Sequence, residues 1–324
     1  MIENVACDFC GCDKTVPVAM QTDLLHHTTE EIYTIVRCIG CGLSFINPRP
    51  SPSEIGRYYA QNYSFHIAPS VLHNLAVDVA IYVANTPLAW IAGMLPGIGR
   101  HLARFVKPCI SDPVRSYYAT GGTGIMLDIG CGAGANAHFW GRRGALLSYR
   151  KITKDVGVEI NDHARKSLAD KGVDVHNDIE SIPKNQLFGI IRMNWSLEHV
   201  YSPLRYFQFI KDHLEKKGRA VIAVPNYDGL IYKLAPDCVE LPIHLYHFRP
   251  RDIENYAGKC GLSILDILTF SYPQMFVEGA QTGMFSEAFA TQFGLYEARN
   301  FQSMVTRFDR AKWGNDMIAV LEHK

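Results

Sequence analysis

The stretch LDIGCGAG, residues 127–134, follows a short apolar run and carries three closely spaced glycines. Glycines at the end of a strand allow a tight turn and let a ligand approach the main chain closely. Downstream of this turn, short apolar runs alternate with amphipathic segments of helical period. That alternation is typical of a parallel sheet with crossover helices, so the sequence predicts an α/β, Rossmann-like domain.

The predicted elements follow from apolar period and from capping residues. One helix is expected to begin after Asn161 and to stop at Gly172, and a second begins at Ser202-Pro203 and runs toward Gly218. A third is expected to end before Gly261. We predict strands at 125–129, 156–160, 173–176, 188–193, 220–224, 262–270 and 317–321.

The 324 residues divide into three regions that differ in composition and in predicted secondary structure. Residues 1–52 are predicted to form a zinc-binding module that ends in a stiff, proline-rich linker, because proline fixes the backbone and removes donors. Residues 53–122 are predicted to form a helical cap or connector. Residues 123–324 then form the Rossmann-like domain, with an insertion at about 272–314.

Charge and hydropathy exclude some classes of protein. Lys plus Arg and Asp plus Glu both number 32, which argues against the basic footprint of a nucleic-acid-binding protein. The first ten residues lack the pattern of a secretory signal, so we expect a cytoplasmic protein. The most apolar stretch, 75–98, is interrupted by Asp78, Asn85 and two prolines. It is interpreted as a buried helical pair rather than a transmembrane span, with contact to a membrane surface as the alternative.

Four cysteines form two pairs of the same shape, each followed by glycine. Close pairs without a secretory signal favour metal binding over disulfides. Two such knuckles complete a tetrahedral four-sulfur site with no open position, which is the structural arrangement of zinc. The predicted ligands are Cys7, Cys10, Cys38 and Cys41.

The glycine turn alone does not decide the cofactor. Gly130, Gly132 and Ala135 also satisfy the dinucleotide pattern, and Glu159 at the end of the second strand would serve the ribose of either cofactor. The discriminating features are Asp128 before the glycines, Asp178 after the third strand, and the segment after the fourth strand.

These features resemble those of class I S-adenosylmethionine-dependent methyltransferases. Residues 127–134 look like their motif I, and residues 194–200 (NWSLEHV) resemble the signature after strand four in the small-molecule branch. A subgroup linked to sugar and secondary-metabolite methylation has a zinc-ribbon start and a stretch after strand five that are similar to residues 38–43, 47–50, 58–59 and 241–248. The resemblance implies a class I sheet, parallel with one antiparallel strand.

The resemblance also implies which residues hold the cofactor. Glu159 would hold the ribose of S-adenosylmethionine, and Asp178 with Ile179 would border the adenine. The expected contacts to the rest of the cofactor, including the methionine part, come from Asp128, Gly130, Gly132, Gly134 and Asn194.

Transfer of a methyl group to a hydroxyl or carbon acid needs alignment and a base with a pKa near neutral, and histidine suits that task. His199 is the first candidate base, with Glu198 as its orienting neighbour. His244 and His247 are second candidates. The alternative is that His199 caps the following helix and that His244 and His247 are structural.

The predicted function is transfer of a methyl group to oxygen or carbon of a small molecule, such as a nucleotide-linked sugar or a secondary metabolite. One alternative is a nucleic-acid methyltransferase that grips its substrate with the zinc module. The residues Asn194-Trp195-Ser196 stand where many base-amino methylating enzymes have an Asn/Asp-Pro-Pro-aromatic signature, which disfavours that alternative. A nicotinamide-binding protein and a non-catalytic zinc scaffold are the remaining alternatives.

Overall fold

The structure is a computed structural model, and it describes residues 2–59, 124–133, 154–170, 172–234, 239–271, 276, 287–292, 294 and 307–324. Nearly all of the predicted helical connector, most of the predicted insertion, the apolar stretch 75–98 and Gly134 lie outside these residues. Within the described ranges, no helix combines the length and the apolar character needed to cross a bilayer.

We number the elements along the described residues. The strands are β1 (Ile2–Glu3), β2 (Thr15–Gln21), β3 (Tyr33–Cys38), β4 (Ser44–Ile46), β5 (Arg49–Pro50), β6 (Ile125–Ile129), β7 (Lys154–Val158), β8 (Asp174–His176), β9 (Phe188–Asn194), β10 (Leu214–Pro225), β11 (Tyr246–His247), β12 (Leu262–Phe270) and β13 (Asp316–His323). The helices are α1 (Asp162–Ala169), α2 (Pro203–His213), α3 (Leu230–Leu234), α4 (Pro250–Lys259) and α5 (Glu287–Gln292).

A seven-stranded sheet in the order β12-β13-β10-β9-β6-β7-β8 forms the centre of the molecule. Strand β13 runs antiparallel to both neighbours, whereas β10, β9, β6, β7 and β8 pair in parallel. The inner strands are apolar and buried over nearly their whole length, as expected where both faces of a parallel sheet are covered. The predicted α/β, Rossmann-like fold with one antiparallel strand is confirmed.

Most predicted elements lie within a few residues of the observed ones, and the largest error concerns the end of α2. Asn161 caps α1 by accepting from the amide of Ala164, and Ser202 caps α2. However, α2 ends at His213 and not near Gly218, because Leu214 already pairs with Phe188 at the start of β10.

The cysteine-rich N-terminal region shares a second sheet with the C-terminal half of the chain. This sheet has the order β11-β4-β3-β2, and Tyr246 of β11 pairs with Phe45 of β4. The segment predicted as a stiff linker contains β5, which pairs with β1. Its residue Arg49 is buried and donates to the backbone oxygen of Tyr201. This segment is therefore packed against the rest of the protein.

Candidate active site and zinc centre

The four predicted cysteine ligands converge at one point. Their sulfur atoms all lie within 4.8 Å of one another, and the Sγ–Sγ distance is 3.5 Å both for Cys7 with Cys41 and for Cys10 with Cys38. A tetrahedral zinc ion with Zn–S bonds of about 2.3 Å needs sulfurs about 3.8 Å apart. The geometry therefore fits zinc. Hydrogen bonds from backbone and thiol groups outweigh the effect of burial and lower the pKa of Cys38 to about 7, whereas burial raises the pKa of Cys41 to about 11. A bound metal ion would favour the thiolate form of each cysteine.

The first cysteine pair, Cys7 and Cys10, is connected directly to the C-terminal half of the chain. Asp8, between Cys7 and Cys10, accepts from the hydroxyl of Ser202 at 2.6 Å and from the amide of Leu204 at 2.8 Å. It also accepts from the hydroxyl of Tyr256 at 2.9 Å. The carboxylate thus satisfies donors at the N-terminus of α2, where a negative charge is stabilised by the helix dipole.

The glycine turn after β6 is closed by the neighbouring strands. The amides of Gly130 and Cys131 both donate to the carbonyl of Val158. Gly130 has φ +77°, and a Cβ atom built there would lie 2.4 Å from the Cβ of Ser196. Only glycine fits this position without displacement of the segment that follows β9.

Asp128 is buried beneath the turn and is paired with an arginine. Its Oδ1 accepts from Nε of Arg192 at 2.9 Å, and its Oδ2 accepts from Nη2 of the same side chain. Both side chains are almost fully buried, so each charge depends on the other for compensation. The predicted role of Asp128 as a direct cofactor contact stays a prediction, and this pairing gives it a second role in fixing the turn.

Glu159 lies at the carboxyl end of β7 and faces the same turn. Its Oε2 accepts from the amide of Gly132 at 2.8 Å, and its Oε1 accepts from the amide of Asn161 at 2.8 Å. Each carboxylate oxygen has a second lone pair. The residue is therefore oriented by the protein and retains acceptor capacity for the two ribose hydroxyls of an adenosine.

The remaining predicted cofactor residues lie along the same edge of the sheet. Asp178 accepts from the amide of Glu180 and pairs with Arg205 at 3.3 Å, while Ile179 beside it is buried. Asn194 is the last residue of β9. Their contact with adenine or methionine stays a prediction, and Gly134 lies outside the described residues.

The segment after β9 lies against the glycine turn and begins with a residue in an unusual backbone conformation. Trp195 has φ +50°, a conformation that non-glycine residues rarely adopt. Its Nε1 donates to Oδ1 of Asp316 at 2.9 Å, and burial raises the pKa of Asp316 to about 6. Ser196 then donates to the carbonyl of Ile129 at 2.8 Å. Strain of this kind is characteristic of functional sites.

Three of the predicted catalytic side chains meet immediately after this segment. One ligand-type atom from each of Glu198, His199 and His244 lies within 4.8 Å of the others, and Nε2 of His244 is 4.0 Å from Oε1 of Glu198. The rings of His199 and His244 are in edge contact, with centroids 4.6 Å apart. We call these three residues the Glu-His-His cluster.

Backbone contacts fix the orientation of the cluster. His199 Nδ1 lies 3.0 Å from the carbonyl of Ile243, so this nitrogen carries the proton and Nε2 carries the lone pair. The amide of Leu245 donates to the carbonyl of Glu198, and the carbonyl of Leu245 accepts from Ile46 of the N-terminal sheet. The cluster is therefore built jointly by the segment after β9, residues 243–245 and the N-terminal region.

Burial controls the charge of the cluster. Glu198 is 1% exposed, and burial raises its pKa well above the usual value for a glutamate. Burial also lowers the pKa of His244 to about 4, so its imidazole is neutral at pH 7. Among the described residues, neither carboxylate oxygen of Glu198 has a hydrogen-bond partner, which is costly for a buried polar group.

A second acidic residue borders the cluster. Glu240 Oε2 lies 3.7 Å from Nε2 of His244 and 3.1 Å from Nε2 of His26, which follows β2. Burial alone would raise the pKa of Glu240, but the neighbouring His244 and His26 outweigh that effect and lower it to about 2. His26 shows that the N-terminal region contributes a side chain to the border of the site.

Two further candidates differ in their placement. His247 is buried against Tyr227, with ring centroids 5.1 Å apart, and it is not a member of the Glu-His-His cluster. The hydroxyl of Tyr59 lies 3.3 Å from Nδ1 of His199. Burial, and then the charges of Glu159 and Glu198, raise the pKa of Tyr59.

The comparison with protein families decides what this site is. A family model described as a methyltransferase domain matches residues 101–267, which is more than half of the 324 residues. The chain belongs to this methyltransferase family. The matched span contains the glycine turn, Glu159 and the Glu-His-His cluster. S-adenosylmethionine is the methyl donor that this membership supports, and its contacts with the turn and with Glu159 stay predictions.

Solved structures of two other methyltransferases are distantly similar to this chain. An S-adenosylmethionine-dependent methyltransferase from Clostridium acetobutylicum is 13% identical, with a TM-score of 0.40 over 66% of this chain and 89% of that one. A second, from Mesorhizobium loti, is 15% identical, with a TM-score of 0.42 over 66% of this chain and 97% of that one. No curated protein matches the sequence.

Sequence reasoning missed four residues that shape the site. Arg192 was counted within an apolar strand, although a single arginine in such a run signals a buried partner. Asp8 lies between two predicted metal ligands, and no pattern in the sequence indicates its contacts with α2. Glu240 and His26 lie far from any motif, and their contact arises from tertiary structure, so the sequence offered no signal for them.

Proposed function

We propose that the enzyme transfers the methyl group of S-adenosylmethionine to a small molecule that binds at the Glu-His-His cluster. The observation that carries this proposal is the position of the cluster. Ser196 connects the glycine turn to Glu198 within two residues, so an acceptor at the cluster lies beside the donor. Alignment of an acceptor with the carbon–sulfur bond supplies much of the rate of such a transfer.

The chemistry of the cluster suits an acceptor that must lose a proton. In the transfer, a bond forms between the acceptor atom and the methyl carbon, and the electron pair of the carbon–sulfur bond stays on sulfur. An oxygen or carbon-acid acceptor also loses its proton at this step. Two imidazoles, of which that of His244 is neutral at pH 7 because burial lowers its pKa to about 4, and one buried carboxyl group are able to assist that loss.

The enclosure of the cluster favours a small acceptor over a polymer. Glu198 and His244 are 1% and 7% exposed, and residues of the N-terminal region border them. The zinc knuckle uses Asp8 to hold α2 and so acts as a structural support. Together with a formal charge of zero, these features support a small-molecule substrate over the alternative of a nucleic acid gripped by the zinc module.

The proposal is tested with S-adenosylmethionine labelled in its methyl group. The zinc-loaded enzyme is incubated with separated fractions of a cell extract: small molecules, RNA, DNA and protein. Label is expected in the small-molecule fraction, and Gly130→Val, which cannot form the turn, is expected to transfer none. Label that accumulates in RNA or DNA would contradict the proposed acceptor class.

A further inference from the structure

The Glu-His-His cluster has the composition and the geometry of a metal site. Two imidazole nitrogens and one carboxylate are the ligands of catalytic zinc and of other first-row divalent cations, and three protein ligands leave positions open for substrate. Ligand atoms bonded to one such cation at about 2.1 Å lie roughly 3–4 Å apart. The 4.0 Å separation of His244 Nε2 and Glu198 Oε1 falls in this range.

The backbone contact of His199 is of the kind that usually orients a metal-binding histidine. A ligating histidine usually donates its other ring N–H to a carbonyl or carboxylate, which fixes the tautomer and the ring orientation. Nδ1 of His199 lies 3.0 Å from the carbonyl of Ile243, so Nε2 is the nitrogen that can ligate. The lone pair of His199 is therefore set by the backbone.

The buried carboxyl group of Glu198 is a second feature that indicates a cation. Its side chain is 1% exposed, and neither carboxylate oxygen has a hydrogen-bond partner within the part of the chain that the structure describes. A buried carboxylate without donors is expensive to maintain, whereas a carboxylate that coordinates a cation is compensated. A cation bound at the cluster would compensate this residue, and Glu240 brings a second carboxylate within 3.7 Å of His244.

We propose that Glu198, His199 and His244 bind one divalent first-row transition-metal ion, distinct from the zinc held by the four cysteines. The open positions of this ion take a hydroxyl oxygen of the acceptor. The bound hydroxyl loses its proton to water, and the resulting oxygen anion displaces the sulfur from the methyl carbon, which gives an O-methylated product and S-adenosylhomocysteine. This inference rests on the proposed function, and it makes His199 a ligand where the sequence predicted a base.

Mn²⁺ is the suitable probe, because thiolates select softer ions whereas carboxylate and imidazole accept Mn²⁺. The full-length enzyme is first loaded with one equivalent of zinc, which the thiolates take, and is then titrated with Mn²⁺ while the free ion is measured by electron paramagnetic resonance. The wild type is expected to bind one Mn²⁺ per chain. Glu198→Gln and His244→Ala are expected to weaken that binding at least tenfold, and His163→Ala, which removes an exposed imidazole on α1, is the matched control.

The outcomes separate this inference from the proposed function. Wild-type enzyme that binds no Mn²⁺, or that binds it no better than Glu198→Gln, overturns the cation site. Glu198→Gln preserves shape, so it keeps the test valid if His244→Ala fails to fold. Binding of S-adenosylhomocysteine, measured on the same samples, reports on the methyltransferase itself: its loss in the wild type counts against the function, whereas its presence without Mn²⁺ binding counts only against the ion.

Discussion

At the scale of single residues, the glycine turn after β6 contacts a buried ion pair. Asp128 and Arg192 are 1% exposed and contact each other through two hydrogen bonds. The acid was recognisable from its place before the glycines, but its partner was not, since the pairing of β6 with β9 brings them together. The sequence was therefore enough to identify the motif around Asp128, whereas its pairing with Arg192 is visible only in the fold.

Removal of one member of this pair should destabilise the enzyme more than removal of both. Arg192→Met leaves the carboxylate of Asp128 buried without its partner and is expected to lower the free energy of unfolding by about 3–5 kcal/mol. The double variant Asp128→Leu/Arg192→Met should recover part of that loss, because apolar groups need no compensation. Urea denaturation measures both, and equal losses in the two variants would show that the ion pair does not support the turn.

At the scale of elements, apolar period and capping located most strands and helices of the sheet. Strand β12 and the caps of α1 and α2 were read directly from sequence. The early start of β10 was not, because Glu215, Lys216 and Lys217 look like the end of a helix. The strand pairs with β9 on either side of these three residues, at Leu214 and at Arg219, which is a tertiary effect.

The contact between the first knuckle and α2 yields a prediction at this scale. Asp8→Ala removes the acceptor of three donors, from Ser202, Leu204 and Tyr256. We expect unfolding free energy to fall by about 1–3 kcal/mol, with zinc content unchanged because the four sulfurs remain. Asp13→Ala, at an exposed position after the same knuckle, is the control and should be close to neutral. Loss of zinc in Asp8→Ala would contradict the view that Asp8 supports α2 while the four sulfurs alone hold the metal.

At the scale of the whole molecule, the N-terminal region and the catalytic sheet form a continuous structure. The strand pair β4–β11, the bond from Gln21 to the carbonyl of Val239 and the contact of His26 with Glu240 join them. Sequence predicted the zinc ligands and the α/β sheet but treated residues 1–52 as a module with a linker. These joining contacts link residues about 200 positions apart, so no local pattern could have indicated them.

Disruption of the four-cysteine site should therefore affect the whole enzyme. The variant Cys38→Ser/Cys41→Ser removes one knuckle, and we expect it to lose zinc and to lower Tm by at least about 5 °C, since about 1 kcal/mol shifts Tm by 2–4 °C in a domain of this size. Cys12→Ser is the matched control, because Cys12 lies outside the four-sulfur group. An unchanged Tm together with lost zinc would show that the module does not stabilise the catalytic sheet.

The central claim is that the turn from Asp128 to Gly132, backed by Glu159, binds the donor. Isothermal titration calorimetry with S-adenosylhomocysteine tests it on the zinc-loaded full chain. We predict one site per chain in the wild type and in Gly258→Ala, where an added Cβ meets nothing within 4 Å. Gly130→Ala should bind at least tenfold more weakly, a difference of about 1.4 kcal/mol. No binding by the wild type, or equal binding by Gly130→Ala, would contradict the account.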